Sequence, residues 1–455
     1  MYTIIGAGLA GLSTADHLKK ANVAFELYEA KMHGGGHIHS ETVNGFTWDE
    51  GPHVSFTKYN YVKEYFADNC EQKFLEYPAD PTNYYHHSWI LHPAQSNMYA
   101  LPEPLRQQCI DSLLHERAIQ TAENYVPGNY KDWINYAFGK VFANNLAEVY
   151  TQKYWTTSAE NLTTDWIGKR IYFPAIHDMV ESAKGPLNKP THYISKVRYP
   201  AKGGFYSFIK KIENDLNINY GHDLKYISFK QKSLQFANGT VIDFDKLVLT
   251  IPLPTIIAKS DAPADIKLRA KQLKCSQVLI VNAVIDHTPA VTNHWIYVYD
   301  NDMYSTRINF TDLLAPENGV SGKCGIQVEV YFSDYRPFNH DTQSITNHVL
   351  NELIQMGLVK SINHVESYHT KFINWANVIF DKDREQAQNA IFNWLTEVGM
   401  VRETEDIYPM TEWDTKEITK LGDVILAGRF AQWKYYWTDD CVLRGKYIAD
   451  CAVIK

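Results

Sequence analysis

Three glycines and an acid near the start of the chain are spaced for binding a dinucleotide. Gly6, Gly8 and Gly11 fit G-x-G-x-x-G within YTIIGAGLAGLS, and Glu29 closes the run VAFELYE. The glycines do different jobs. Gly6 permits a tight turn, Gly8 lets the backbone approach a pyrophosphate, and Gly11 lets a helix lie close to a sheet. The unpaired N–H groups and positive dipole end of that helix then face the phosphates. A carboxylate about twenty residues on accepts the hydroxyls of an adenosine ribose and repels a 2′-phosphate, which disfavours NADP. The glycine triplet 34–36 stands a few residues later and allows a second close approach to a diphosphate.

These residues act together only if the chain between them folds as strand, turn, helix, strand. Ile4 and Ile5 supply the first buried strand, Leu9, Leu12, Ala15 and Leu18 recur at helical spacing, and Phe25 to Tyr28 lead to Glu29. That is the opening unit of a Rossmann-type α/β domain. At the far end the apolar run VILA enters GRFAQWKYYWTDD (428–440), where Arg429 is followed by Tyr435, Tyr436, Trp437 and the pair Asp439-Asp440. A core strand running into an aromatic-rich helix accounts for this stretch as well as a binding site does. The aspartates fit a helix N-cap as well as proton transfer.

At 455 residues the chain exceeds what one core usually supports, so two or more domains are expected. Aromatics make up 13% of it, with 30 Tyr and 11 Trp, which suits a flat or sugar-like ligand and equally a tyrosine-rich core. A net charge of -8 with no Lys/Arg run excludes a general nucleic-acid surface. Six cysteines without CxxC or CxxH spacing read as reduced thiols of a cytoplasmic protein. No metal is expected: His33, His37 and His39 are loosely spaced and lack a fixed Cys or acidic partner. The apolar N-terminus lacks a charged leader, and nothing reaches membrane-spanning length.

The stretch EAKMHGGGHIHSETVNGFTWDEGPH resembles the E-x-x-x-R-x-G-G-R element and following G…D.G.H segment of the FAD-dependent amine oxidase and protoporphyrinogen oxidase superfamily. His33 and His37 stand where that element has arginines. VRYPAKGGFYSFIKKI and the run from Gly221 to Pro254, with a hairpin signal at Asn238-Gly239 and a buried strand KLVLT, are similar to later blocks of the same flavoproteins. VILAGRF resembles their C-terminal strand and Gly-Arg. The resemblance implies FAD as cofactor, held by Gly6, Gly8, Gly11, Glu29, Gly35, Gly36, Gly428 and Arg429. It also implies an FAD domain in three pieces, about 1–60, 195–260 and 415–455. Between them stand a mostly helical insert, 61–194, and a mixed sheet-and-helix substrate domain, 261–414.

Within that superfamily, YTQKYWTTSAENLTTDWIGKR (150–170) and GRFAQWKYY resemble segments of the UDP-galactopyranose mutases and mutase-like proteins. The resemblance assigns Tyr150 and Trp155 to a nucleotide-sugar cleft, Arg170 to a substrate diphosphate, Tyr435 to a second phosphate contact and Arg307 to a further clamp. A guanidinium fork suits a phosphate. Trp437 stands where the mutases carry Asp, and Phe56 where they carry a second His after the one matching His53. His53, Tyr435 and Trp437 are the residues expected nearest the chemistry. The leading expectation is an FAD-dependent oxidoreductase acting on a sugar nucleotide or related small molecule in glycan or secondary metabolism. A mutase-like sugar-nucleotide isomerase using reduced FAD and a non-catalytic flavin-binding protein are the alternatives, with oligomeric state open.

Overall fold

The computed structural model describes residues 1–119, 125–168, 170–187, 196–291, 293–403 and 413–454. The expected boundary at 195 and residue 455 lie outside them.

The run YTII forms the central strand, Tyr2–Ile5, buried along its whole length. It pairs in parallel with Phe25–Tyr28 on one side and Lys246–Leu249 on the other. Ile218–Asn219 and Val424–Leu426 complete a five-stranded, all-parallel sheet. Strands buried on both faces must be continuously apolar, which is why YTII, KLVL and VIL show no alternation. The helix Leu9–Lys20 crosses one face of this sheet, and the C-terminal helix Thr438–Ala452 packs against it. Gly445 lets them approach, because a Cβ there would lie 2.5 Å from the Thr14 backbone nitrogen. The fold is thus a mixed α/β architecture built on a parallel sheet.

A second sheet has seven strands. Its order is Val365–Val378, Cys275–Ile285, Cys324–Phe332, Arg307–Phe310, Trp295–Val298, Pro81–Tyr85 and Ser88–Leu91. All neighbours are antiparallel except Trp295–Val298 with Pro81–Tyr85. Segment 61–194, expected to be mostly helical, also carries three strands that the expectation lacked. That segment contributes Phe74–Pro78 to a two-stranded ribbon and Pro81–Tyr85 and Ser88–Leu91 to the large sheet. The turn between the last two is His86-His87, both at positive φ, 43° and 63°. Hairpins usually signal such a turn with Asn-Gly or Asp-Gly, and that signal is missing. The Asp300 carboxylate holds this turn instead, accepting from the His86 backbone N–H at 3.0 Å.

The other described elements of that segment are helical, including Leu105–Ile119, Tyr130–Phe138 and Glu148–Tyr154. A π-helical turn, Ala143–Ala147, leads into Glu148–Tyr154. The ribbon Ser40–Val43 with Phe46–Asp49 is locked to the turn at 203–205 through buried Asp49, which accepts from Tyr199 Oη at 2.7 Å and Phe205 N–H at 3.0 Å. This brings the loop carrying His53 to the space between the two sheets.

Candidate active site

One cavity of about 880 Å³ runs from the tip of the parallel sheet to the face of the large sheet. That is near the upper end for small-molecule sites, roughly 300–1,000 Å³. Gly6, Gly8, Glu29, Gly35, Gly36, Gly428 and Arg429 all line it; Gly11 lies behind, between helix and sheet.

The glycines divide the work as their spacing requires. Gly6 has φ +100°, and a Cβ there would collide with Thr250 Oγ1. A Cβ at Gly11 would overlap the Gly6 carbonyl oxygen. Gly8 alone is unobstructed: its Cβ would meet nothing nearer than Gly36 Cα at 3.9 Å, so the missing side chain leaves room for a ligand. No side chain caps the helix that starts at Leu9, and Leu9 and Ala10 face the cavity. Gly35 and Gly36, at φ +95° and +55°, fold back so that Gly35 N–H donates to the Ala7 carbonyl at 2.8 Å. Glu29 accepts from Ala7 N–H at 2.7 Å and Lys31 N–H at 2.9 Å. A carboxylate offers about four lone-pair sites, so both oxygens keep capacity for ribose hydroxyls.

Arg429 enters from the end of Val424–Leu426, after Gly428 at φ +95°. Its Nε donates to the Tyr436 carbonyl at 2.7 Å, and Nη1 reaches Asn377 Oδ1 at 3.4 Å. These residues fit a dinucleotide: an uncapped helix start, a glycine cradle, an acid and an arginine converge on one groove.

His53 lines the same cavity, its Nδ1 3.0 Å from the Gly51 carbonyl. A carbonyl only accepts, so the proton sits on Nδ1 and Nε2 carries the lone pair. Burial first, and then the charges of Arg307 and Arg429, lower its pKa to about 4, so the ring is neutral at pH 7. Tyr150 and Trp155 project from Glu148–Tyr154 and the residue after it, and Tyr154 joins them on the cavity wall. Arg170 lies over the rings of Tyr435 and Trp437, at 4.9 and 4.7 Å, and Nη2 donates to the Tyr435 carbonyl at 2.8 Å. Trp437 also meets Phe56 edge to face at 4.9 Å.

Arg307 reaches the cavity, but its charge is already matched. It sits in register with Glu329 on the next strand and binds it through two bonds, Nε at 2.6 Å and Nη2 at 2.8 Å. A phosphate clamp at this position would have to share the guanidinium with Glu329. Asp439 and Asp440 do not line the cavity: Asp440 accepts from Trp437 N–H at 2.8 Å and Trp413 Nε1–H at 2.9 Å, so the helix-start reading holds. His33 and His39 stack on each other, while His37 turns to Glu50 at 3.2 Å.

Several residues of the cavity wall escape sequence reasoning. Trp295, Tyr297 and Tyr299 alternate along HWIYVYD, a period-2 signal that could have shown them on one face. Gln327, Glu329 and Tyr331 alternate in the same way along IQVEVYF, but which face met the cavity, and that Lys371 joined it, came only from strand pairing.

A family model for flavin-containing amine oxidoreductases matches residues 9–452. The chain belongs to that family. Its cofactor is FAD. A crystal structure of reduced UDP-galactopyranose mutase is similar over 99% of this chain and 93% of its own, at 21% identity and a TM-score of 0.87. A putative protoporphyrinogen oxidase from Exiguobacterium sp. 255-15 matches over 99% and 98%, at 16% identity and a TM-score of 0.71. Wild-type putrescine oxidase bound to putrescine matches over 99% and 98%, at 15% identity and a TM-score of 0.62. At these identities the likeness is one of fold. Among the flavoprotein's described residues no helix is long and apolar enough to cross a membrane, and all six cysteines are free.

Proposed function

We propose that this flavoprotein is an FAD-dependent oxidoreductase whose substrate is an anionic small molecule of the sugar-nucleotide class. The observation that carries the reading is Arg170, stacked against Tyr435 and Trp437 on the wall of an aromatic cavity. Three carboxylates reach that wall among the described residues, and each is engaged. Glu29 takes two backbone N–H groups, Glu50 pairs with Lys371 at 2.8 Å, and Glu329 pairs with Arg307. An ammonium substrate therefore finds only carboxylates that are already engaged, whereas a diphosphate finds a guanidinium whose bonds to the Trp166 and Tyr435 carbonyls bring it no opposite charge. The tyrosines and tryptophans supply flat faces and hydroxyls for a base and a sugar.

Bound FAD supplies hydride acceptance from a C–H bond. The chain's own residues then bind, orient and exclude water. Gly8, Gly35, Gly36, Glu29 and Arg429 hold the cofactor; Tyr150, Trp155, Arg170 and Tyr435 hold the substrate. Trp437 and Phe56 exclude water, and His53 Nε2 accepts a hydrogen bond as a neutral ring. With no unengaged carboxylate on the wall and His53 a weak base, positioning is most of what the residues offer, which favours redox chemistry. The second reading is a mutase-like isomerase; the same arrangement of Tyr150, Trp155, Arg170 and Tyr435 favours it. The third is a non-catalytic flavin-binding protein.

The test compares a panel of nucleotide sugars with a panel of amines, under air and after anaerobic dithionite reduction. A nucleotide sugar should bleach the oxidised flavin, with colour returning in oxygen, and amines should not. Ring-form isomerisation by the reduced enzyme, without bleaching by any substrate, would replace this reading with the second. Bleaching by amines alone would refute the substrate class.

A further inference from the structure

Away from the cavity, one group of metal-ligating side chains has no part in the flavin site. The strand Cys275–Ile285 runs directly into Asp286 and His287, and Val365–Val378 starts directly after His364. The Asp286 N–H donates to the His364 carbonyl at 3.2 Å, which fixes the two chain segments side by side. Both imidazoles turn Nδ1 to one carboxylate oxygen, Asp286 Oδ1, at 3.0 Å from His287 and 2.9 Å from His364. The rings meet edge to face at 5.2 Å, and ligand atoms of all three residues lie within 4.8 Å of one another.

We propose that Asp286, His287 and His364 form a binding site for a borderline divalent cation, Zn²⁺ being the type. Two imidazole nitrogens and one carboxylate oxygen are donors such ions take. Bonds of about 2.0–2.2 Å imply roughly 3.3–3.5 Å between tetrahedral ligands. The two Nδ1–Oδ1 contacts therefore need to open by only a few tenths of an ångström when the cation replaces the protons between them. A neutral ring that gives Nδ1 to the metal carries its proton on Nε2; an imidazolium releases one to water. The Asp286 and His364 side chains are 40% and 37% exposed, so solvent supplies the fourth position.

The cation would clip the start of the sheet's edge strand to its neighbour, where the pairing shifts register between Val284 and Ile285. That edge strand carries Lys371 to Asn377 onto the cavity wall, so the clip stabilises one side of the active-site cleft from a distance.

Calorimetric titration of ZnCl₂ into the untagged holoenzyme tests the proposal. One saturable site is expected, lost in His287→Ala and in His364→Ala, with unchanged flavin absorbance showing that the variants fold. ZnCl₂ should raise the melting temperature of the wild type and of neither variant, because the ion binds only the native arrangement. If one variant fails to fold, Asp286→Asn gives the same comparison. No saturable heat in the wild type would overturn the site. Equal heats in the wild type and the double variant would also overturn it, and would move the cation elsewhere, such as to His33, His37 and His39.

Discussion

Gly8 and Gly11 stand three residues apart in one motif, and the structure predicts opposite consequences for placing a methyl group at each. At Gly8 the backbone is at φ -70° and ψ -179°, which any residue adopts, and a Cβ would meet nothing closer than 3.9 Å. Gly8→Ala should gain about 0.4–1 kcal/mol from a less flexible unfolded chain. It should lose about 1 kcal/mol as a poorer N-cap. The melting temperature of the flavin-free protein should therefore barely move. The methyl group does occupy the space through which the cofactor's diphosphate approaches. Overpacking of that kind costs about 1–3 kcal/mol, or roughly 5- to 150-fold in Kd for FAD. At Gly11 the Cβ overlaps the Gly6 carbonyl oxygen and lies 3.0 Å from its carbon, both backbone atoms that cannot swing aside. The helix must lift from the sheet, which outweighs the gain of about 1 kcal/mol in helix propensity. Gly11→Ala should lower the flavin-free melting temperature by several degrees. Apo-protein melts and titrations of FAD followed by flavin fluorescence separate the two effects. Wild-type FAD affinity in Gly8→Ala, or a wild-type melt in Gly11→Ala, would refute the separate roles given to the two glycines.

Three further outcomes are expected. Arg170→Ala should weaken UDP binding, read as a smaller ligand-induced rise in melting temperature, by about 1.5–3 kcal/mol, the scale for a hydrogen bond to a charged group. Arg170→Lys should not restore it, because an ammonium does not stack between Tyr435 and Trp437 as a planar guanidinium does. Glu403 is half-buried, which opposes its charge, yet Arg444 at 2.7 Å and Lys416 at 2.8 Å hold its pKa at about 2 against an ordinary 4.5. Its contribution is present above 4.5 and lost as pH falls through about 2, so Glu403→Gln should destabilise the protein at neutral pH and flatten acid unfolding in that window. Lys153 is buried and donates to the Asp300 carbonyl at 2.7 Å; burial lowers its pKa to about 7 against the pull of Glu352 and Asp300. The neutral amine is the form the fold prefers, so stability rises as pH climbs from 7 towards 10.5. The melting-temperature difference between wild type and Lys153→Met should change steadily over that range, and a constant difference would show that Lys153 does not titrate there.

The sequence by itself was enough for the opening strand, turn, helix and strand of this flavoprotein, because every constraint there is local. A tight turn, a close backbone approach and an uncapped helix start each demand a residue type at a fixed offset, and Gly6, Gly8, Gly11 and Glu29 meet those demands within thirty positions. The strands YTII, KLVL and VIL were legible for a similar reason: a strand buried on both faces must be apolar throughout. Residues 81–91 were not legible as strands, because their hairpin turns on two histidines held by a carboxylate 214 positions away. The substrate side of the cavity depended on tertiary structure throughout. Arg307 looked like an available cation until sheet register set Glu329 opposite it. Asp440 suited proton transfer and a helix start alike until the backbone of Trp437 claimed it. Lys371 gave no signal, since its partner Glu50 lies at the end of another sheet's ribbon. A charge's function depends on what compensates it, and compensation across a sheet is a matter of register and packing, which no local spacing of residues encodes.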